Sequence, residues 1–267
     1  MKSTNVLLKS INNISNVLNK KDLIIHFVKS EIKVANNDKL LGKLWSLLDP
    51  LFMMVVYSIL VVVIFKRGGA NFPILLFSAL ISWRWFNYSV LSSVKSVSSK
   101  ASIIKSVKVP LAIFPVAKVL VGLYNYGFAL LAVFPMLLIF HAKITANLLW
   151  LPLIVFIQFL LTMGFALALS IMGVYFKDIE NIAKFTLRAW FYLSPALYSV
   201  RDRIPEEYVT YFMLNPFSGL FESYKNVLVR GLPPDRFLLA SAVFALVVFV
   251  LSLVYQTTRE RDVPKEL

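Results

Sequence analysis

No cysteine occurs among the 267 residues, which excludes a disulfide framework, a thiol nucleophile and a thiolate metal site. Histidine is nearly absent, at two residues. There is no H-E-x-x-H, no G-x-S-x-G and no cluster of carboxylates inside an apolar run, so the usual residues of hydrolytic and metal-assisted catalysis are missing. Glycine is also sparse, at nine, and none lies in a G-x-x-x-x-G-K-[ST] run; Gly42-Lys43 continues into Leu44. The phosphate cradle of a nucleotide-binding loop is therefore absent. Acids number 14 against 28 Lys and Arg, and the stretch 92–118 has five lysines and no acid at all. The first 43 residues are polar, with no compact apolar core ending in small residues, so a cleavable signal peptide is not expected and the first span must direct insertion.

What is abundant is apolar surface: 58% of residues are hydrophobic, and the mean hydropathy is +0.73. Six apolar stretches stand out: Leu44–Phe65, Phe72–Leu91, Lys118–Phe140, Leu148–Phe176, Phe185–Val200 and Phe237–Tyr255. A helix needs roughly 20 apolar residues to cross a hydrocarbon core about 30 Å thick, and only the fifth stretch is markedly short. The pattern predicts one all-α, polytopic membrane domain over 1–267. It divides into a cytoplasmic or interfacial segment 1–43, a six-span body 44–255 and a cytoplasmic tail 256–267. With the N-terminus inside, inner segments carry 18 basic residues against eight outside, so the positive-inside rule favours two cytoplasmic ends. That sorting also accounts for the net charge of +14, and no nucleic-acid partner is expected.

Local patterns refine this layout. In Asn19–Ala35, Asp22, His26, Lys29 and Lys33 stack on one helical face, with Leu23, Ile24, Ile25, Phe27, Val28, Ile32 and Val34 over the rest. This reads as an amphipathic interfacial helix or as a docked cytoplasmic one, and Glu31 in the apolar arc calls for a partner. Gly42 permits a change of direction before span one, Trp45 suits the headgroup level, and Pro50 suits a first helical turn. The inner loop Ser92–Lys108 carries Lys95, Lys100, Lys105 and Lys108 beside Ile103, Ile104 and Val107, as either a lipid anchor or a docking element. Intramembrane charge is limited to Arg84, between two tryptophans, and Arg188, near the inner end of span five. Between spans five and six, Tyr208–Leu214 and Phe217–Val229 are apolar yet too short to span, and Asn215-Pro216 separates them. Two short re-entrant helices or a surface hairpin would both fit. Asp202, Glu206 and Glu207 beside Arg201 and Arg203 leave a distant reading as a membrane glycosyl- or acyl-transferase, although a solvated ion cluster explains them. Apart from Asp49 at the mouth of span one, no Asp, Glu or His lies in a span to carry protons, so any pumping is expected to draw its energy from a partner.

Four runs in order carry a family resemblance: Leu41-Gly42-Lys43-Leu44-Trp45 ahead of Asp49-Pro50; Ile104 to Pro110 running on to Phe114-Pro115; Val174 to Ile179; and Ser194-Pro195-Ala196-Leu197-Tyr198 through Ile204-Pro205 to Leu214-Asn215-Pro216. The whole chain resembles the membrane subunit of ABC-2 type exporters, nearest the permeases for lipid-linked polysaccharides such as O-antigen, capsule and wall teichoic acid. The resemblance implies a homodimer around a pore in the bacterial inner membrane, surrounded by membrane lipids. Two copies of a separate ABC ATPase would drive it, using ATP and Mg; the chain itself would be no enzyme and need no cofactor. It implies an undecaprenyl-linked glycan as substrate, with a small hydrophobic drug or lipid as the alternative. Leu41 and Gly42 would form the cytoplasmic gate. Lys100, Ile104, Lys105 and Lys108 would couple to the ATPase, and Tyr208, Met213, Asn215, Pro216 and Leu220 would build the outer gate. Family members often carry a charge near Ser106 and a further charged residue around Lys177-Asp178, and this sequence departs from that pattern. Rings that stack on sugars are sought among Tyr57, Phe77, Trp83, Trp85, Phe191, Tyr192 and Tyr198, each of which could instead pack between helices.

Overall fold

Long apolar runs bounded by Gly, Pro, Asn and Lys become helices because every backbone polar group in a membrane must find its partner within the segment. The computed structural model describes residues 15–36, 42–66, 69, 71–107, 109–198, 206–260 and 262–267, and helices account for most of them, with no strand among these residues. Five are long and apolar enough to cross a membrane: Trp45–Ile64, Phe72–Val94, Ile113–Ile139, Ala146–Tyr175 and Leu238–Arg259.

In chain order, α1 is Lys21–Asn36 and α2 is Trp45–Ser58, prolonged by π-helical turns over Ile59–Ile64. The backbone at Gly42 has φ +44°, a conformation that L side chains resist, and it turns the chain into a 3-10 turn and then α2. Helix α2 begins at Trp45, so Pro50 falls in its second turn rather than its first. Helix α3, Phe72–Val94, is the central post, with Phe77, Phe86 and Val90 fully buried. The basic loop then forms the short α4, Ala101–Ser106. Helix α5, Ile113–Leu131, continues after a break at Ala132 as α6, Val133–Ile139, and α7 follows at Leu151–Tyr175. Next come α8, Ile179–Leu193; α9, Glu206–Met213; α10, Pro216–Lys225; α11, Leu238–Arg259; and α12, Val263–Glu266.

Helix α1 docks along α5. Its Ile24 is buried with Ile113 and Val119, the Phe27 and Phe114 rings lie 5.4 Å apart, and Glu31 meets Lys118 at 2.6 Å. That ion pair explains an acid in an otherwise apolar arc. Ile25 and Val34 stay exposed on its other flank.

Helices α7 and α11 run parallel: Arg259, at the end of α11, sits over the Tyr175 ring that ends α7. Their backbones come close at Gly164, where a Cβ would stand 2.9 Å from the Phe249 nitrogen. Two parallel helices oblige the intervening chain to return through the bundle. It does so in pieces. Of the stretch expected as a fifth span, Phe185–Val200, residues 185–193 fall in the 15-residue α8, which is about 22 Å long at 1.5 Å per residue and shorter than a hydrocarbon core. Its foot carries Asn181 and Lys184, Arg188 lies one turn further along, and its apolar run stops at Ser194-Pro195. From Asn215, α10 and a π-helical turn, Asn226–Arg230, continue to the far end, where Gly231 O accepts hydrogen bonds from Thr145 Oγ1 (3.1 Å) and Asn147 Nδ2 (2.8 Å).

Candidate functional site

The pieces α8, α9 and α10 meet deep inside the bundle. The Phe217 ring, at the start of α10, lies 4.9 Å from Trp83, 4.7 Å from Phe86 and 5.2 Å from Trp190. Phe86 is the fifteenth residue of the 23-residue α3, so this junction sits well inside both ends of a spanning helix. Phe165 of α7 closes the cage, 5.6 Å from Phe86 and 5.5 Å from Trp190.

Asn215 organises the polar groups at the junction. Its Oδ1 accepts from Phe217 N and from Trp190 Nε1, both at 3.1 Å, which caps α10 and satisfies the indole. Its Nδ2 donates to Ser194 Oγ at 3.0 Å, and Ser194 Oγ donates to Trp190 O at 2.7 Å. Ser218 Oγ donates to Phe212 O at 2.7 Å, tying α10 to the end of α9. Pro216 suits the first helical position because no N–H is needed there. Met213 and Leu220 are buried beside it, and Tyr208 is exposed. The segment Tyr208–Val229 is thus a hairpin whose turn reaches the core of the bundle.

A buried ion cluster holds the returning limb. Glu222 Oε1 accepts from Lys225 Nζ at 3.0 Å and its Oε2 from Arg230 at 2.8 Å. Lys225 Nζ also donates to Pro195 O at 2.6 Å, so one ammonium joins α10 to the chain leaving α8. Glu222 and Lys225 were not among the residues singled out from sequence. The available signal was a glutamate and a lysine three apart, and an arginine beyond, in a run too apolar to leave them unpaired.

The seven aromatic path candidates divide by exposure. Phe77, Trp83, Trp85 and Phe191 are packed inside: Trp83 contacts the cage, and Trp85 donates to Val119 O at 3.3 Å and stacks on Tyr126. Tyr192 is 52% exposed, and the half-buried Tyr57 lies beside it, their hydroxyls 3.2 Å apart. Tyr198, partly exposed, donates to Leu193 O at 3.0 Å. Beside them on α8, Phe185 and Arg188 also face outward, and Arg188 has no ion-pair partner among the described residues.

Leu41 and Lys108 lie outside the described residues, as do Arg201, Asp202 and Arg203. Gly42 borders a cavity of about 160 Å³ between α1, α2, α3 and α5. Arg84 projects into it and pairs with Asp49 of α2. In the basic loop, Ile104 is buried against Leu111, Phe114 and Val263, while Lys105 is exposed and Lys100 half-buried. Glu260 Oε1 accepts from Leu111 N at 3.3 Å, so the tail braces the loop. Lys95 and Lys184 (2.6 Å) both pair with Glu180 at the foot of α8. These hydrogen bonds, that to Lys184 first, hold the Glu180 carboxyl down to about 2.

Residues 22–229, from α1 through the hairpin, match the family model described as ABC-2 type transporter. The chain belongs to the ABC-2 type transporter family. It is 28% identical over 244 residues to the O-antigen export system permease protein RfbA of Myxococcus xanthus, covering 90% of this chain and 94% of that one. Two proteins of the same name from Klebsiella pneumoniae are 27% and 24% identical over 215 and 234 residues, with 79% and 87% of this chain covered and 81% and 89% of theirs. This ABC-2 chain is accordingly a multi-pass membrane protein of a transporter family. The Ser194-Pro195 and Asn215-Pro216 runs that marked the resemblance are the two sides of its hairpin junction.

Proposed function

We propose that the chain is the membrane-spanning permease subunit of an exporter that moves a lipid-linked O-antigen polysaccharide across the inner membrane, with ATP hydrolysis supplied by a separate ABC ATPase. The observation that carries this reading is the broken fifth crossing. Two pieces, each shorter than a full span, meet at depth around Asn215, so a passage can open by moving short helices without unfolding a span. The names of the relatives support the cargo, and the missing nucleotide cradle supports a partner for the energy.

Two copies of the chain enclose the path, each presenting the outward face of α8. An exposed arginine at the position of Arg188 supports this arrangement, since a charged side chain facing lipid near the middle of a helix costs about 2.5–3.5 kcal/mol. Water between two copies removes that cost. In this reading Tyr57, Tyr192 and Tyr198 meet the glycan, and Phe77, Trp83, Trp85 and Phe191 form the wall behind them. The basic loop and both chain ends face the cytoplasm, where exposed Lys105 contacts the ATPase. The carrier is undecaprenyl-linked, and the hairpin is the outer gate. Deleting the gene in its native cell should strip long polymer from the surface and accumulate lipid-linked polymer inside. Restoration by the wild-type chain in that strain, and no restoration by it once the ATPase gene is deleted as well, is the expected result. Unchanged surface polymer in the deletion strain would overturn the reading.

A further inference from the structure

We propose that the cavity framed by Asp49 and Arg84 is a binding site for a phosphate-bearing lipid headgroup, with Arg84 as its cation and Asp49 as a displaceable cover on that cation. The two charges come from different helices, α2 and α3, and both side chains are 42% exposed, toward a space of about 160 Å³. Arg84 cannot turn back into packing. Trp83 on one side is held in the aromatic cage, and Trp85 on the other is fixed by Val119 O and Tyr126. An ion pair this exposed contributes at most about 1 kcal/mol, so stability alone does not account for it. The cavity also holds two spare donors, the Asn125 amide and the Tyr88 hydroxyl, which make no hydrogen bond to the described residues.

A guanidinium fork with an amide and a phenol beside it matches the several oxygens of a phosphate. Neighbouring features point to a lipid as its bearer. The cavity is bounded by Ile32 and Ala35 of the amphipathic α1 and by Trp45, a residue type that favours the headgroup level. Beyond Asp49 on the same helix, Phe52, Met53 and Val56 are exposed and offer an apolar track for a hydrocarbon tail. Asp49 opposes an incoming anion, so binding must exchange the carboxylate for the phosphate at Arg84. That exchange removes one tether of α2, a helix otherwise largely open along its length, which turns at Gly42.

The inference rests on the permease reading only in the choice of a carried lipid, and binding can be measured without transport. The probe is a single cysteine, Ser46→Cys, in the otherwise cysteine-free chain, assembled with its ATPase in lipid nanodiscs. Its labelling by a water-soluble maleimide should be slowed by farnesyl pyrophosphate and not by farnesol. Arg84→Gln should raise the farnesyl pyrophosphate needed about tenfold, as expected for loss of one charged hydrogen bond. Asp49→Asn should lower it, because the competing carboxylate is gone. A merely structural ion pair requires both substitutions to act alike, and that outcome, or protection by farnesol, would overturn the site. If Arg84→Gln does not assemble, Asp49→Asn alone supplies the sign, with Arg84→Lys keeping charge but losing the fork. Protection by nanodisc phosphatidylglycerol as well identifies the bearer as bulk lipid, and protection by the polyprenyl compound alone identifies it as the cargo carrier. Phosphate-dependent protection in a chain that exports nothing would keep the site and remove the exporter.

Discussion

A side-chain amide has two lone pairs and two N–H bonds, and Asn215 uses three of these four at the junction of α8 and α10. Alanine there removes the cap and strands the Trp190 indole. Asn215→Ala should destabilise the protein by about 2–4 kcal/mol, the sum of a lost cap and an unpaired buried donor. Reversible unfolding in detergent, followed by tryptophan fluorescence, measures this. Glu222 acts differently, as the only carboxylate meeting Lys225 and Arg230 among the described residues. Glu222→Ala leaves a buried ammonium unpaired and should cost about 3–5 kcal/mol. A double change of Glu222 and Lys225 to apolar residues of similar volume should recover most of that loss in the same assay. If the double variant is no better than the single one, the pair's role is not charge compensation.

At the scale of elements, a short helix inside a membrane is tolerated only where protein covers its ends; α10 meets that condition through the aromatic cage, and α9 is tied to it by the Ser218 hydroxyl on Phe212 O. Cysteines introduced at Met213 and Leu220, both buried, should react with a membrane-impermeant maleimide far more slowly than one at Tyr208, which is 51% exposed. Equal, fast reaction at all three would mean that the hairpin lies on the surface. The same elements show how far the sequence could be read. The two short apolar runs and the Asn-Pro break between them were visible by length and turn chemistry. The partner that closes them was not, because Trp190 and Phe217 are 27 positions apart and meet only through the return of the chain.

For the whole molecule, α8 is a strut. Its foot is fixed to the basic loop by Glu180 and Lys95, and its top to the hairpin by Trp190 and Ser194. Force applied at the loop therefore reaches the hairpin through one rigid helix. Reversing the exposed charge, Lys105→Glu together with Lys100→Glu, should leave membrane insertion intact and lower stimulation of the partner ATPase severalfold. Pulse-labelled insertion and ATP turnover of the reconstituted complex check the two parts. Normal stimulation would mean that the loop is an anchor for anionic lipid.

The sequence by itself determined that the protein is helical and multi-pass, because span length and charge sorting are local properties of the chain. It also located the Gly42 turn and the Asn215-Pro216 break, since positive φ and the missing proline N–H constrain single residues. Tertiary structure alone decided that Arg84 meets Asp49, that Glu31 meets Lys118, and that four of seven candidate rings are buried while Tyr57 and Tyr198 are half-buried and Tyr192 is exposed. Aromatic side chains give the same apolar signal whether they face a neighbour or a path, so only the packing of α3, α8 and α10 could sort them. The parallel course of α7 and α11 was likewise decided there, and it is what forces the chain between them to cross in pieces.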